Sequence, residues 1–130
     1  MYRVYFEDLH REHLEWLSQI KFWKEELQTL RLLCKKKCVN KKVPAKIYCA
    51  EIFNQLDHQE RLLTNMESQI HSHENFIVEM IQSSTPEKVA EGMGDHDHNR
   101  KHMVTIVKSI KKLKIRILKE FERDKTPTKE

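Results

Sequence analysis

The sequence predicts an all-α fold, an antiparallel bundle of three long helices with heptad, coiled-coil-like packing. The first observation is the scarcity of helix breakers, since the 130-residue chain has only three prolines and two glycines. Pro44 lies alone, whereas Pro86, Gly92 and Gly94 lie close together. Glycine costs about 1 kcal/mol and proline about 3 kcal/mol inside a helix, so the three segments between these points are expected to be helical. The second observation is that apolar residues recur in each segment at intervals of three and four.

The first helix is predicted over residues 3–38. Its apolar stripe is interrupted only at His13. The stripe consists of Tyr2, Phe6, Leu9, Trp16, Ile20, Trp23, Leu27, Leu30 and Cys34.

The second helix is predicted over residues 45–83 and has a broader apolar face, which suits packing against two helices. Its main stripe contains two polar residues, Gln59 and His73. The apolar members of the stripe are Cys49, Ile52, Leu56, Leu63, Met66, Ile70, Ile77 and Met80, flanked by Phe53, Leu62, Phe76 and Ile81.

The third helix is predicted over residues 96–123, after a connection from Ser83 to Gly94. Thr85 and Pro86 suit the start of a helix, so one turn is expected there before Gly92 ends it. The cap of the third helix is expected at Asp95 or Asp97. Its apolar stripe is Met103, Ile106, Ile110, Leu113 and Ile117, with Val107, Leu118 and Phe121 beside it.

Short connections between long helices make neighbouring helices antiparallel, which allows the register to be predicted. We place the centre of the first turn near residue 41 and the centre of the second near residue 89. The predicted pairs in the first hairpin are Cys34 with Cys49, Trp23 with Gln59, and Trp16 with Met66.

The length suits one domain, residues 1–124, followed by a disordered tail over residues 125–130. Charged residues make up 34% and apolar residues 38% of the chain, a balance typical of elongated helices. The net charge is +4, and lysines are concentrated in residues 35–46 and in the third helix. Residues that read bases are missing beside the lysines of the third helix, so nucleic acid is not an expected partner.

No apolar run is long enough for a signal peptide or a membrane span. We therefore expect a cytoplasmic protein without a membrane partner. Cys34, Cys38 and Cys49 are an odd number of cysteines in a reducing compartment, so free thiols are expected rather than a disulfide framework.

Seven of the eight histidines are expected at one end of the bundle, and imidazole is the commonest transition-metal ligand. In the predicted register, His10, His73 and His102 lie within about 6 Å of one another along the bundle axis. His98 and His102 are one helical turn apart. We predict a site for zinc, iron or manganese with ligands from His10, His13, His73, His98 and His102, and with Glu7, His71, Glu74 and Asp95 as further candidates.

A structural role is the alternative for these histidines. A stripe histidine such as His13 or His73 can fix helix register as a buried polar residue. His71, His96 and His98 can be exposed loop or cap residues. A di-iron carboxylate site is not favoured, because such sites need the Glu-x-x-His step twice and the chain offers it once.

The segment IHSHE at residues 70–74, followed by DHDH at residues 95–98, resembles a set of small bacterial helical proteins. The resemblance covers the second and third helices and implies no activity. Hemerythrin-type bundles are similar in placing histidines inside helices.

Three functions are compatible with these features. The leading interpretation is a binding or structural protein without catalytic residues, a homo-oligomer (a dimer) whose histidine-rich end holds a transition-metal ion. The first alternative is a metal-dependent oxidase or hydrolase that uses the same histidines. The second is a coiled-coil adaptor that binds a partner helix or nucleic acid through its lysine-rich end.

Overall fold

The computed structural model describes residues 2–39, 45–83 and 85–125, and its three packed helices confirm the all-α bundle. Helix α1 spans Tyr2–Cys38, α2 spans Ala45–Ser83 and α3 spans Pro86–Lys125. At a rise of 1.5 Å per residue each helix is about 55–60 Å long. The disordered tail is predicted over residues 125–130. Lys125 is the last residue of α3, and residues 126–130 lie outside the described residues.

α2 has the predicted bounds and α1 begins one residue before its predicted start, but the predicted start of the third helix at residue 96 is wrong. α3 begins ten residues earlier, at Pro86. The Thr85 hydroxyl accepts a hydrogen bond from the backbone N–H of Lys88 at 3.3 Å, and the Thr85 carbonyl accepts one from Val89 at 3.0 Å. Thr85 is therefore the cap of α3, with proline at the first helical position. Asp95 and Asp97, the predicted caps, lie inside the helix.

Packing against the other two helices explains why the glycines do not end this helix. Val89 is buried in a small apolar cluster at this end of the bundle, which also contains Phe6, Leu9, Ile77 and Met80. Gly92 is buried, and a Cβ atom there would lie 3.0 Å from the Met80 sulfur. The glycine thus permits α2 and α3 to approach closely, and burial of the cluster offsets the cost of about 1 kcal/mol per glycine.

The main core lies between the three helices and follows the predicted stripes. In α1 the buried positions from Phe6 to Cys34 alternate at intervals of three and four, except at the half-buried Trp23. The predicted α3 stripe is buried, but Leu118 beside it is 42% exposed. Buried Gln59 donates a hydrogen bond to the Ser109 hydroxyl at 2.7 Å. The main core consists of Trp16, Ile20, Leu27, Leu30, Cys34, Ile52, Leu56, Leu63, Met66, Ile70, Met103, Ile106, Ile110, Leu113, Ile117 and Phe121.

Contacts between helices give their directions. The contacts from α1 move backward along α2, from His13 with His73 to Arg31 with Asp57, so these two helices are antiparallel. The contacts from α2 move backward along α3 in the same way, from His73 with Gly92 to Gln59 with Ser109. α1 and α3 therefore run parallel, and the pairs that join them are Glu12 with Arg100 and Glu26 with Lys114.

In the first hairpin, between α1 and α2, the observed register differs from the predicted one by about five residues. Cys49 forms a disulfide with Cys38, not a contact with Cys34. The expectation of free thiols is therefore wrong for Cys38 and Cys49. Cys34 is a free, buried thiol, and burial raises its pKa to about 11. Among the described residues, no helix has the length and apolar composition needed to span a bilayer.

Candidate metal centre

Three histidines, one from each helix, meet inside the bundle at the end that contains the second connection. His13 on α1 is fully buried, His73 on α2 is 5% exposed and His96 on α3 is 1% exposed. The ring centroids lie 4.9 Å apart for His13 and His96, 5.0 Å for His13 and His73, and 5.5 Å for His73 and His96. One nitrogen of each ring lies within 4.8 Å of the others. We call these three residues the histidine triad.

The sequence places each ring here through the three-and-four spacing of its helix. His13 lies between Leu9 and Trp16 on the buried face of α1, and His73 lies between Ile70 and Ile77 on that of α2. On α3, His96 lies four residues after buried Gly92. Because α3 begins at Pro86, Gly92 and His96 lie on the same buried face of the helix. The triad is therefore buried because each histidine lies on the core-facing side of its helix.

Each ring of the triad has a hydrogen-bond acceptor on its outer nitrogen. His13 Nδ1 lies 2.5 Å from a Glu74 carboxylate oxygen, and His96 Nε2 lies 2.6 Å from Glu12. His73 Nε2 lies 3.1 Å from the carbonyl oxygen of Gly92. Metal-binding histidines in proteins are oriented in this way, because the ring nitrogen that does not bind the metal donates its hydrogen to a carboxylate or a backbone carbonyl.

Hydrogen bonds favour the ionised form of the two carboxylates, and burial favours the neutral form of the three rings. Arg100 donates hydrogen bonds to both oxygens of Glu12, and together with His96 it lowers the pKa of Glu12 to about 2 against the opposing effect of burial. Hydrogen bonds from His13 and His10 lower the pKa of Glu74, again against burial. Burial lowers the pKa of all three triad histidines, although each has an acceptor that opposes the shift.

These partners fix the tautomer of each neutral ring. An ionised carboxylate or a carbonyl oxygen can only accept, so the outer nitrogen of each ring carries the hydrogen. The inner nitrogens, His13 Nε2, His73 Nδ1 and His96 Nδ1, are then lone-pair acceptors. His13 Nε2 and His73 Nδ1 lie only 3.0 Å apart. His96 Nδ1 is buried and has no hydrogen-bond partner among the residues that the structure describes.

A buried imidazole nitrogen without a hydrogen-bond partner, such as His96 Nδ1, is electrostatically unfavourable unless a cation lies beside it. His13 Nε2 and His73 Nδ1 lie within hydrogen-bond distance of each other. Zn–N bonds are about 2.0–2.1 Å long, which places nitrogen ligands of a tetrahedral ion about 3.3 Å apart. His13 Nε2 and His73 Nδ1 are 3.0 Å apart, and one nitrogen of each ring lies within 4.8 Å of the others, so the separations are close to this distance. The triad therefore suits a transition metal bound by three imidazoles, with small rotations of the rings.

Aromatic rings enclose the triad. Trp16 stacks on His96 with centroids 4.7 Å apart, and Phe76 stacks on His73 at 6.2 Å. These neighbours account for the low exposure of the triad and limit the rotation of two of its rings.

The structure brings together two of the five predicted ligands, His13 and His73. His10 is 54% exposed and contacts the other oxygen of Glu74 at 2.7 Å, so it supports a carboxylate behind the triad. Glu74, a further candidate, likewise contacts the triad from outside.

The other predicted ligands lie apart from the triad. His98 is exposed and His102 is half-buried, with centroids 6.1 Å apart. His71, Glu7 and Asp95 are exposed.

His96 is the member of the triad that sequence reasoning missed, and the expectation that it is an exposed loop or cap residue is wrong. The error follows from the second turn. A turn centred near residue 89 places His73 opposite residue 105, whereas the observed contact joins His73 to Gly92. Val89, Gly92, His96 and Asn99 are the signal that points to His96, because they continue the α3 stripe backward at intervals of three and four.

Comparisons with profiles of known families, with curated proteins and with solved structures find no match.

Proposed function

We propose that the chain is a metal-binding helical protein whose triad, His13, His73 and His96, holds one transition-metal ion. The observation that carries this proposal is the convergence of three buried imidazoles, each with an acceptor on its outer nitrogen, around inner nitrogens of which His96 Nδ1 has no hydrogen-bond partner among the described residues. Such outer acceptors orient metal-bound histidines and increase their basicity.

The donor set favours Zn²⁺, with Fe²⁺ and Mn²⁺ as weaker candidates. Three neutral imidazoles suit zinc, iron and copper, whereas Mn²⁺ prefers more oxygen ligands. The local charge supports a cation, because Glu74 contributes a negative charge next to His13, whereas the charge of Glu12 next to His96 is balanced by Arg100. With three protein ligands, a tetrahedral ion retains one further coordination position.

Titration with Co²⁺, a spectroscopic substitute for Zn²⁺, tests the proposal on protein purified without a histidine tag. The expected result is a stoichiometry of one ion per chain and a tetrahedral absorption spectrum. His96→Gln should weaken binding at least about 100-fold, and His102→Gln, on the same helix, should leave it unchanged. Equal loss in both variants, or binding that depends on His98 and His102 alone, contradicts the assignment.

A binding role takes precedence over the enzymatic alternative. Both carboxylates in contact with the triad are hydrogen-bonded to its rings, so neither is free to act as a general base. An oxidase or hydrolase therefore needs a base from elsewhere.

Self-association to a dimer and a cytoplasmic location belong to the same proposal. Support for the dimer comes from an exposed apolar row on α3, formed by Met93, Val104, Ile115 and Leu118. These residues lie on one side of the helix, since the first three are eleven residues apart. The mass of one chain is 15.7 kDa, and light scattering after size exclusion should give twice this mass. A monomer at high concentration contradicts the dimer. The Cys38–Cys49 disulfide argues against the cytoplasmic part of the proposal, because disulfides are rare in reducing compartments. Recovery of the chain in the cytosolic fraction of cells would support a cytoplasmic location.

A further inference from the structure

We propose that metal reaches the triad through a groove between α2 and α3, where Asp95 and His98 capture the hydrated ion before it passes to His73. This inference rests on the proposed function, because it assigns a loading route to the same metal site.

The groove is a cavity of about 390 Å³ that is open to solvent. It is lined by Gln69, Ser72, His73, Phe76, Glu91, Asp95, His98 and Asn99. His73 belongs to both the groove and the triad, whereas His13 and His96 do not line it. The groove therefore contacts the metal site at one ring.

The other sides of the triad are more tightly closed. His13 is 0% and His96 is 1% exposed, and the Trp16 ring covers His96. His73 has the highest exposure of the three at 5%. A small displacement of His73 thus opens the site to the groove, whereas an approach to His96 requires the indole to move.

The groove has the side chains that a metal cation would meet first. Asp95 and Glu91 are exposed carboxylates, and His98 is an exposed imidazole three residues after Asp95. Carboxylates attract a hydrated divalent cation, and an imidazole is an intermediate ligand of the same type as the final ones.

An ion that passes through a capture site binds and leaves by the same path. Loss of the capture site should therefore slow association and dissociation together and leave the equilibrium affinity unchanged. This kinetic signature separates a loading residue from a ligand, because loss of a ligand changes the affinity.

Stopped-flow measurement of Co²⁺ uptake by the metal-free full-length chain at low ionic strength tests the route. The double variant Asp95→Asn with His98→Gln should bind Co²⁺ at least about fivefold more slowly, with a Kd within about twofold of the wild-type value. The matched control is Asp57→Asn with His58→Gln, which makes the same chemical changes on α2, outside the groove. This control should take up Co²⁺ at the wild-type rate.

A second variant tests the groove by filling it. Ser72→Trp should slow uptake without removing a charge, because Ser72 lines the groove and is exposed. Unchanged uptake in both groove variants, with normal equilibrium binding, overturns the loading route alone. A loss of affinity in the Asp95 and His98 variant also overturns it, since these residues would then be ligands. Absence of Co²⁺ binding by the wild-type chain overturns the proposed function and the route together.

Discussion

Glu74 holds His13 by its outer nitrogen, and Glu12 does the same for His96. At the scale of single residues, these carboxylates determine which nitrogen of each ring faces inward. His13 and His73 could be predicted as candidate ligands because each interrupts an apolar stripe. Their acceptors could not be assigned, because they depend on which residues of neighbouring helices lie level with each ring.

The carboxylate behind His13 can be tested by removing its charge. Glu74→Gln should weaken metal binding about 10- to 100-fold, because it loses the acceptor that fixes the tautomer and basicity of His13. Glu67→Gln is the matched control, since Glu67 lies two turns earlier on α2 and pairs with Lys24. Competition with a metal chelator measures both affinities. Similar affinities for the two variants would exclude an orienting role for Glu74.

The neutral triad predicts that the metal-free protein loses stability as the pH falls below 6.5. Burial lowers the pKa values of these histidines from the ordinary value of 6.5, so the unfolded chain binds more protons than the folded chain below that pH. The contribution of the neutral rings to the free energy of unfolding is therefore fully present above pH 6.5. It decreases as the pH falls from 6.5 toward the lower pKa values of the folded state. Each ring contributes at most about 1.4 kcal/mol per pH unit.

Urea unfolding of the metal-free protein at several values between pH 7.5 and pH 5 checks this dependence. His58→Gln, which alters an exposed histidine, should keep the wild-type slope. A free energy of unfolding that stays constant or rises as the pH falls over this interval would mean that the triad is not held neutral.

At the scale of helices, α1 and α2 were predictable because their apolar periodicity has no competing signal. The start of α3 was not, because Gly92 and Gly94 favour a break on local propensity alone. Burial of Val89 and Gly92 against the other helices outweighs that propensity. The position of His96 depends on this result, so one misplaced helix start also changed the predicted ligands.

The two glycines of α3 should respond in opposite ways to alanine. Gly94→Ala should stabilise the protein by about 0.5–1 kcal/mol, because the added Cβ would meet no atom within 4 Å beyond the adjoining residues and backbone of its own helix, and alanine is the better helix former. Gly92→Ala should lose most of that gain and weaken metal binding, since its Cβ would meet Met80 at 3.0 Å and Phe76 at 3.3 Å. The Gly92 carbonyl would then shift relative to His73.

Thermal unfolding and Co²⁺ titration of both variants provide the measurement. Equal stabilisation by both substitutions, with unchanged metal affinity, would show that the close approach at Gly92 does not position His73.

At the scale of the whole molecule, the disulfide and the histidine triad lie at opposite ends of the bundle. Cys38 and Cys49 join α1 to α2 beside the first connection, eleven residues apart in sequence. The triad joins all three helices near the second connection. Composition could not predict this pairing, because an odd number of cysteines gives no connectivity and the register decides which two meet.

Removal of the disulfide should destabilise the bundle without abolishing metal binding. For a closed loop of this length the expected loss is about 2–3 kcal/mol in the double variant Cys38→Ser with Cys49→Ser. Urea unfolding of the oxidised wild-type chain, with and without reductant, supplies the comparison. Reductant should lower the wild-type stability toward that of the double variant. A wild-type midpoint that does not change on reduction would show that the bond does not form.

The most direct test of the central claim is a crystal of the zinc-loaded protein, measured with anomalous scattering at the zinc absorption edge. We predict one strong peak between α1, α2 and α3, at about 2.0–2.1 Å from His13 Nε2, His73 Nδ1 and His96 Nδ1. A peak at His98 and His102, or no peak near the buried rings, would contradict the account.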